Sequence, residues 1–321
     1  MTTTTTPPSD APAVAAHPLP NRPAWSGRGR GGRDRKLTPW LFLAVPLILL
    51  GVFTYLPAGN LIYYSLTDWD GFGASPKVFV GLQNYGKIFT RDDILPVFLV
   101  SLYYIGASLV QMVIALCFAT VLSFSTRFRN LFKGILFFPY LINGVAIGFV
   151  FLYLFQPGGT LDSALHAFGL DALSKHWLGD PDVVNFSLAG TSVWRYMGLN
   201  FVLFLGAIQS IPSELYEAAE LDGAGRFQQF RYLILPGIKR IISLSFILAI
   251  AGSLAVFEIP YIMTLGANGS MTFVIKTVLL GFGTFHKVGL ASAMAVLLLA
   301  IVLILTWIQR RIVPDDKVDL S

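Results

Sequence analysis

The sequence predicts an all-α membrane protein with six transmembrane helices, and three observations carry that prediction. Hydrophobic residues fill 55% of the 321 positions and charged residues only 13%, against about 25% charged in an average soluble domain. Several apolar runs reach the roughly 18–20 residues that a helix needs to cross a bilayer. The apolar–polar alternation of a β-barrel strand is not visible.

Taken in order, the spans fall near residues 39–67, 96–125, 131–157, 187–210, 238–265 and 287–311. Pro57 kinks the first or ends its straight part. The third closes at Gln156-Pro157-Gly158-Gly159, a strong turn signal. Residues 1–36, rich in Thr, Pro, Ala, Gly and Arg, read as a disordered tail. They are not a signal peptide, because the first apolar run begins only near Trp40. Residues 37–313 then make up the transmembrane domain and 314–321 a short C-terminal tail. The stretches 68–95 and 158–186 are long for connectors. Two readings stay open for them: short interfacial helices that form a docking surface, or plain loops.

The net charge of +5 arises in the tail and at the loop flanks and points to no nucleic-acid partner. With both termini in the cytoplasm, sixteen of the 23 Lys and Arg residues fall inside and six outside, with Arg195 within a span. That is the positive-inside bias of a membrane protein, and it makes the 211–240 loop cytoplasmic.

Enzymatic chemistry finds no foothold. The one cysteine, Cys117, excludes an internal disulfide and a cysteine-cluster metal site. His17, His166, His176 and His286 are scattered without ligand spacing, so no metal site is expected. No catalytic nucleophile–base pair is apparent. No Gly-x-x-x-x-Gly-Lys-Ser/Thr phosphate loop occurs, and Gly27 to Gly32 is an Arg-Gly tail with no strand before it. The chain is therefore not expected to hydrolyse ATP and would borrow that energy from another polypeptide.

The most informative stretch is 212–236, polar and helix-compatible between two apolar runs. Ser213 is a candidate N-cap after Pro212, and Glu214 places negative charge in the first turn. Leu215, Ala218 and Ala219 share one helical face. Gly223 ends or bends the helix, Phe227 and Phe230 continue an apolar face, and Pro236 marks entry into the next span. By itself Glu217 reads as a solvated helix residue.

This segment resembles the EAA loop of the integral membrane subunits of binding-protein-dependent ABC importers. That pattern is Glu-Ala-Ala, three residues, Gly, nine residues, then Ile-x-Leu-Pro. Here it reads Glu217-Ala218-Ala219, Gly223 and Leu233-Ile234-Leu235-Pro236, with Leu233 in place of Ile. The Asp222-Gly223-Ala224 version is similar to the carbohydrate branch, near the maltose and glycerol-phosphate permeases. Weaker likenesses extend from residue 39 to 311, among them Gly81-Leu82-Gln83-Asn84-Tyr85 and Leu136-Phe137-Phe138-Pro139.

The resemblance implies the type I ABC importer permease fold. It also implies that the loop docks on a cytoplasmic ATPase, with Glu217 accepting a charged partner and Ala218, Ala219, Asp222, Gly223, Ala224 and Pro236 shaping the contact. It further implies a second homologous permease, an ATPase dimer that binds ATP and Mg, and an extracytoplasmic solute-binding protein. This chain itself would carry no cofactor. The expected setting is the bacterial inner membrane with its lipid, and the expected solute a sugar, of oligosaccharide type.

Two ionisable residues inside spans stand out as solute-pathway candidates. Arg195 and Glu258 lie at similar depth, roughly 12 Å from the outer ends of the fourth and fifth spans at 1.5 Å per residue. Trp194, Tyr196, Asn200 and Tyr261 supply the hydrogen-bonding and aromatic groups that sugars need. Matching to the resembled permeases adds Ser192 and Ser253, and Asn143 on the third span. Arg195 also reads as an interfacial anchor or half of a structural ion pair, and Trp194 and Tyr261 as belt aromatics. The rival functions are a stand-alone secondary transporter or channel and a membrane-embedded enzyme. The first would need a coupling-ion site, yet buried carboxylates are scarce, and the sequence predicts neither an internal repeat nor a broken-helix pair.

Overall fold

In the computed structural model of the chain, residues 34–124, 129–283 and 285–312 are described. Of the predicted tails, residues 1–33 and 314–321 lie outside the described residues, while Asp34, Arg35 and Lys36 of the N-terminal one belong to a helix and correct the expected tail boundary. Contacts divide the chain into two compact units, Met1–Tyr55 and Leu56–Ser321.

The described part of the first unit is helix α1 (Asp34–Leu50) followed by a π-helical turn, Gly51–Tyr55. Its large apolar side chains, including Phe42, Val45, Ile48 and Phe53, are exposed. That surface suits lipid or an apolar protein partner, not water.

The second unit opens with α2 (Leu56–Ser65) and a two-residue antiparallel ladder between β1 (Thr67–Asp68) and β2 (Val78–Phe79). Helix α3 (Gln83–Thr90) follows. The buried Asn84 amide donates to the carbonyls of Ser65 and Thr67, 3.0 and 2.8 Å away, and ties α3 to the end of α2. The Lys77 ammonium stands 4.6 Å from the Trp69 ring. The 68–95 stretch is therefore an ordered unit and not a plain connector.

The long helix α4 (Val97–Ser123) packs along α8 (Val184–Gln209). Ala115 and Ala119 of α4, both fully buried, leave room for Phe201 and Phe204 of α8 in one cluster. Small residues at such a crossing let two backbones approach closely.

Between them the expected straight third span is absent. It is split into α5 (Arg129–Leu141) and α6 (Gly144–Phe155), bent by 96°. Pro139 lies in the last turn of α5 and removes one backbone donor. Asn143 then starts a new helix, its side chain accepting from the Val145 N–H at 2.8 Å. The expectation that no span is broken is thus corrected.

The fifth span is interrupted too, as α12 (Lys239–Leu254) and α13 (Glu258–Thr264) with Ala255–Phe257 between them. Together they still qualify as one span, Lys239–Thr264. By length and composition four described helices can cross a bilayer, and up to six if each bent pair counts as one span.

The 158–186 stretch is ordered as well. After α7 (Thr160–Ala167), Asp162 accepts hydrogen bonds from Gly158 N, Ser174 Oγ and Trp177 Nε1 at 2.8–2.9 Å. These donors, Trp177 foremost, hold its carboxyl below the usual carboxylate range. An apolar helix not anticipated from the sequence, α14 (Phe273–Phe282), packs on the last helix, α15 (Val288–Ile312), through Phe273 and Leu280. Ten residues are too short to register as a span. Lys276 of α14 pairs with Asp93 at 2.9 Å, and Arg91 binds the same carboxylate at 2.8 Å. Arg91 first, then Lys276, hold the Asp93 carboxyl well below its ordinary range.

Candidate functional site: a motif helix and an ion-paired cavity

The Glu-Ala-Ala segment folds as α9 (Ser213–Leu221), set at 71° to the end of α8. Ser213 is not its cap. Pro212 takes the N-cap position and its carbonyl accepts from the Leu215 N–H. Gly223 does end the helix: its φ of +76° is a conformation that side-chain-bearing residues rarely adopt.

Only one side of α9 touches the body. Tyr216 packs against the cluster around Ile208, Ile234 and Ile238. Glu217, Ala218 and Asp222 are exposed, Ala219 and Ala224 are partly covered, and Leu221 is 89% exposed. Leu215 is exposed on the same helix as well.

The chain then returns through α10 (Arg226–Gln229), a π-helical turn (Phe230–Ile234) and α11 (Leu235–Gly237), which includes Pro236. A side chain at Gly237 would press on Ile211. The two ends of the loop therefore lie against each other and present α9 as a compact projection.

The second feature is a cavity of about 500 Å³ bounded by α4, α8, α12 and the start of α13. Six of the eight predicted pathway residues line it: Ser192, Arg195, Tyr196, Asn200, Ser253 and Glu258. Asn143 and Tyr261 do not. Asn143 serves as the cap of α6, and Tyr261 stacks on Phe257 with ring centroids 4.7 Å apart. Trp194 also turns away, its ring 5.2 Å from that of Phe151. The cavity wall further includes Tyr104, Ser108 and Gln111 of α4 and Ser245 of α12. These escape a reading of the residues alone, because an isolated polar residue in an apolar run carries no periodic signal.

Arg195 Nη1 donates to Glu258 Oε2 at 2.7 Å. The Arg195 side chain is 12% exposed and that of Glu258 49%. The guanidinium carbon stands 4.9 Å from the Tyr196 ring centre, so the aromatic face covers part of the cation. The pair is seated by Gly144, the first residue of α6. A Cβ there would overlap both the Glu258 carboxylate and the Arg195 guanidinium. Four residues on, a Cβ at Gly148 would meet Ile262 of α13 at 2.8 Å. The bare face of α6 is what lets α13 come in close. The two interrupted spans thus meet at the ion pair, with α8 as the third member.

Gly144→Ala is therefore expected to force the pair apart and to lower transport at least tenfold, about 1.4 kcal/mol. Gly144→Ala combined with Glu258→Asp, which withdraws the carboxylate by one methylene, is expected to recover part of it. Uptake in the two variants checks this.

The Tyr104 and Ser245 hydroxyls and Arg195 Nε are buried with no hydrogen-bond partner. Buried polar groups of this kind normally find a partner in protein, water or ligand. Ser192 and Ser253, by contrast, spend their hydroxyl donors on backbone carbonyls, Leu188 for the first and Ala249 and Tyr104 for the second. Among the described residues no group of His, Cys, Asp and Glu is arranged to hold a metal.

The family model for the inner membrane component of binding-protein-dependent transport systems matches residues 111–316. That match takes in α8, α9 and α13 together. The chain belongs to this family. It is thus an ABC importer permease subunit, a transport component and not an enzyme. This permease is 34% identical to the probable ABC transporter permease protein YurN of Bacillus subtilis, over 88% of this chain and 98% of that one. It is 32% identical to the diacetylchitobiose uptake system permease protein NgcF of Streptomyces coelicolor, over 88% and 86% of the two chains. The sn-glycerol-3-phosphate transport system permease protein UgpA of Salmonella typhimurium is 31% identical, over 87% and 95%. Its fold is that of a chain in a bacterial alginate ABC transporter crystallised with an alginate-pentasaccharide-bound periplasmic protein. The TM-score is 0.76 at 19% identity, over 87% of this chain and 94% of that one.

Proposed function

We propose that this permease forms one half of the membrane pathway of a sugar importer, its solute an oligosaccharide. Its partners are a second, homologous permease, a cytoplasmic ATPase dimer that binds ATP and Mg, and an extracytoplasmic solute-binding protein. The observation that carries the reading is the close succession of α8 and α9. Arg195, Tyr196 and Asn200 line the cavity from α8. After a break of three residues beyond its end the exposed α9 begins, at 71°. A push on α9 from a closing ATPase pair reaches the cavity wall along a single rigid helix, with Glu217 meeting a cation of the ATPase and Ala218, Ala219, Asp222, Gly223, Ala224 and Pro236 setting the shape of the joint. Cavity groups then exchange solute hydrogen bonds between the two sides of the membrane. Relatives named for diacetylchitobiose and multiple sugars support the solute class, and those named for glycerol-3-phosphate leave its charge open.

In this reading the chain sits in the bacterial inner membrane with lipid around it and both termini in the cytoplasm. Ser213→Cys in a Cys117→Ser background tests the orientation. An impermeant thiol reagent is expected to label it in inside-out vesicles and to leave it unmodified in intact cells. Labelling from outside the cell reverses the topology and removes the coupling role of α9.

The rival reading, a stand-alone carrier, is not favoured: the family match and the permease relatives speak for an importer subunit.

A further inference from the structure

The charge ledger of the cavity carries an inference that rests on the sugar-pathway reading and sharpens it. Among the described residues, the charged side chains lining the cavity are Arg195 and Glu258, and they cancel at 2.7 Å. The other polar lining groups are hydroxyls and amides, among them Ser108, Gln111 and Asn200. The pair is not a loose surface contact. Arg195 is covered by Tyr196 and largely buried, the Gly144 backbone lies against both groups, and Glu258 faces the cavity half exposed. An anionic solute entering here would find the cation already neutralised. It would have to displace Glu258, or shed its hydration with no counter-charge, and either route is unfavourable. An uncharged polyol would instead trade water hydrogen bonds for those of the hydroxyls and amides, at no electrostatic cost.

We infer that Arg195 and Glu258 form a charge filter, and that the half-pathway in this chain is built for uncharged saccharides and discriminates against acidic ones. The two residues determine specificity as a balanced pair, through net charge and not through either group alone. Removing one side of the balance therefore has a signed consequence. With Glu258→Gln the cavity gains an unpaired cation and should admit acidic sugars. With Arg195→Gln it gains an unpaired anion and should reject them further. With both changes it is neutral again.

The test reads direct contact in the assembled importer held in nanodiscs, without the binding protein, by saturation-transfer NMR. One probe panel is neutral (gluco-, xylo- and N-acetylglucosamine oligosaccharides). The other is acidic (uronate and sulfated oligosaccharides). The second permease is the same in every sample, so differences between variants report on this chain. Wild type is expected to favour the neutral panel. Glu258→Gln should raise the acidic-to-neutral ratio by about tenfold or more, the scale of one unpaired charge at contact distance. Arg195→Gln should lower the ratio, and the double variant should return it to the wild-type value. A merely structural role would weaken both panels together in every variant. Equal contact of both panels with wild type, or an unchanged ratio in both single variants, overturns the charge filter and leaves the sugar pathway standing. Contact of neither panel with any of the four proteins overturns the sugar reading and the filter with it.

Discussion

Glu217→Arg is expected to abolish uptake while the chain still inserts and α9 still folds. The residue is exposed on a helix that Tyr216 anchors to the body, so the change costs the permease little by itself. Its effect falls on the partner. If Glu217 accepts a cation of the ATPase, reversing its sign places like charges at contact. Losing one member of such an interfacial pair typically costs about 2–5 kcal/mol, or roughly 30-fold and more in coupling at 1.4 kcal/mol per tenfold. Uptake and solute-stimulated ATP hydrolysis in the assembled importer both report it, and both are expected to fall together. Wild-type uptake in this variant returns Glu217 to a solvated helix position.

The second large effect belongs to the ion pair. A lone charge within the bilayer costs about 3 kcal/mol even on lenient insertion scales. Arg195→Ala and Glu258→Ala each leave one partner of the 2.7 Å pair uncompensated. Each single variant is expected to lose at least tenfold in uptake. The double variant removes both charges, and its loss is expected to be smaller than the product of the two. Coupling energies of about 0.5–3 kcal/mol are normal for residues in direct contact. Uptake in the three variants, normalised to inserted protein, measures it. Wild-type rates in all three place the pair outside the pathway.

Much of this organisation is legible in the residues, for reasons that can be named. The spans announce themselves because hydropathy is a local, additive property. The motif helix is legible because Glu217, Gly223 and Pro236 are tied to fixed spacings. Arg195 and Glu258 are conspicuous because charges are rare in apolar runs, and their shared depth anticipates their contact. What stays hidden depends on neighbours distant in sequence. Gly144 looks like any glycine in a span until α8 and α13 close on it. The 96° bend after Leu141 turns on a side-chain cap at Asn143 inside an apolar stretch, where hydropathy reads straight through. Tyr104 and Ser245 give no periodic signal and become notable only once the cavity exists. Helix α14 is too short to count as a span and reads as loop until its contact with α15 is seen.

In the proposed importer this chain supplies a pathway and a coupling surface but no energy source of its own. Reconstitution separates that from a self-powered carrier. Liposomes are loaded with ATP and given labelled oligosaccharides and the binding protein outside. One set contains the chain alone, and the other the chain with its second permease and ATPase. Uptake is expected in the second set only, dependent on ATP and lost with Glu217→Arg. Concentrative uptake by the chain alone, driven by an ion gradient, would contradict it and make the protein a secondary carrier.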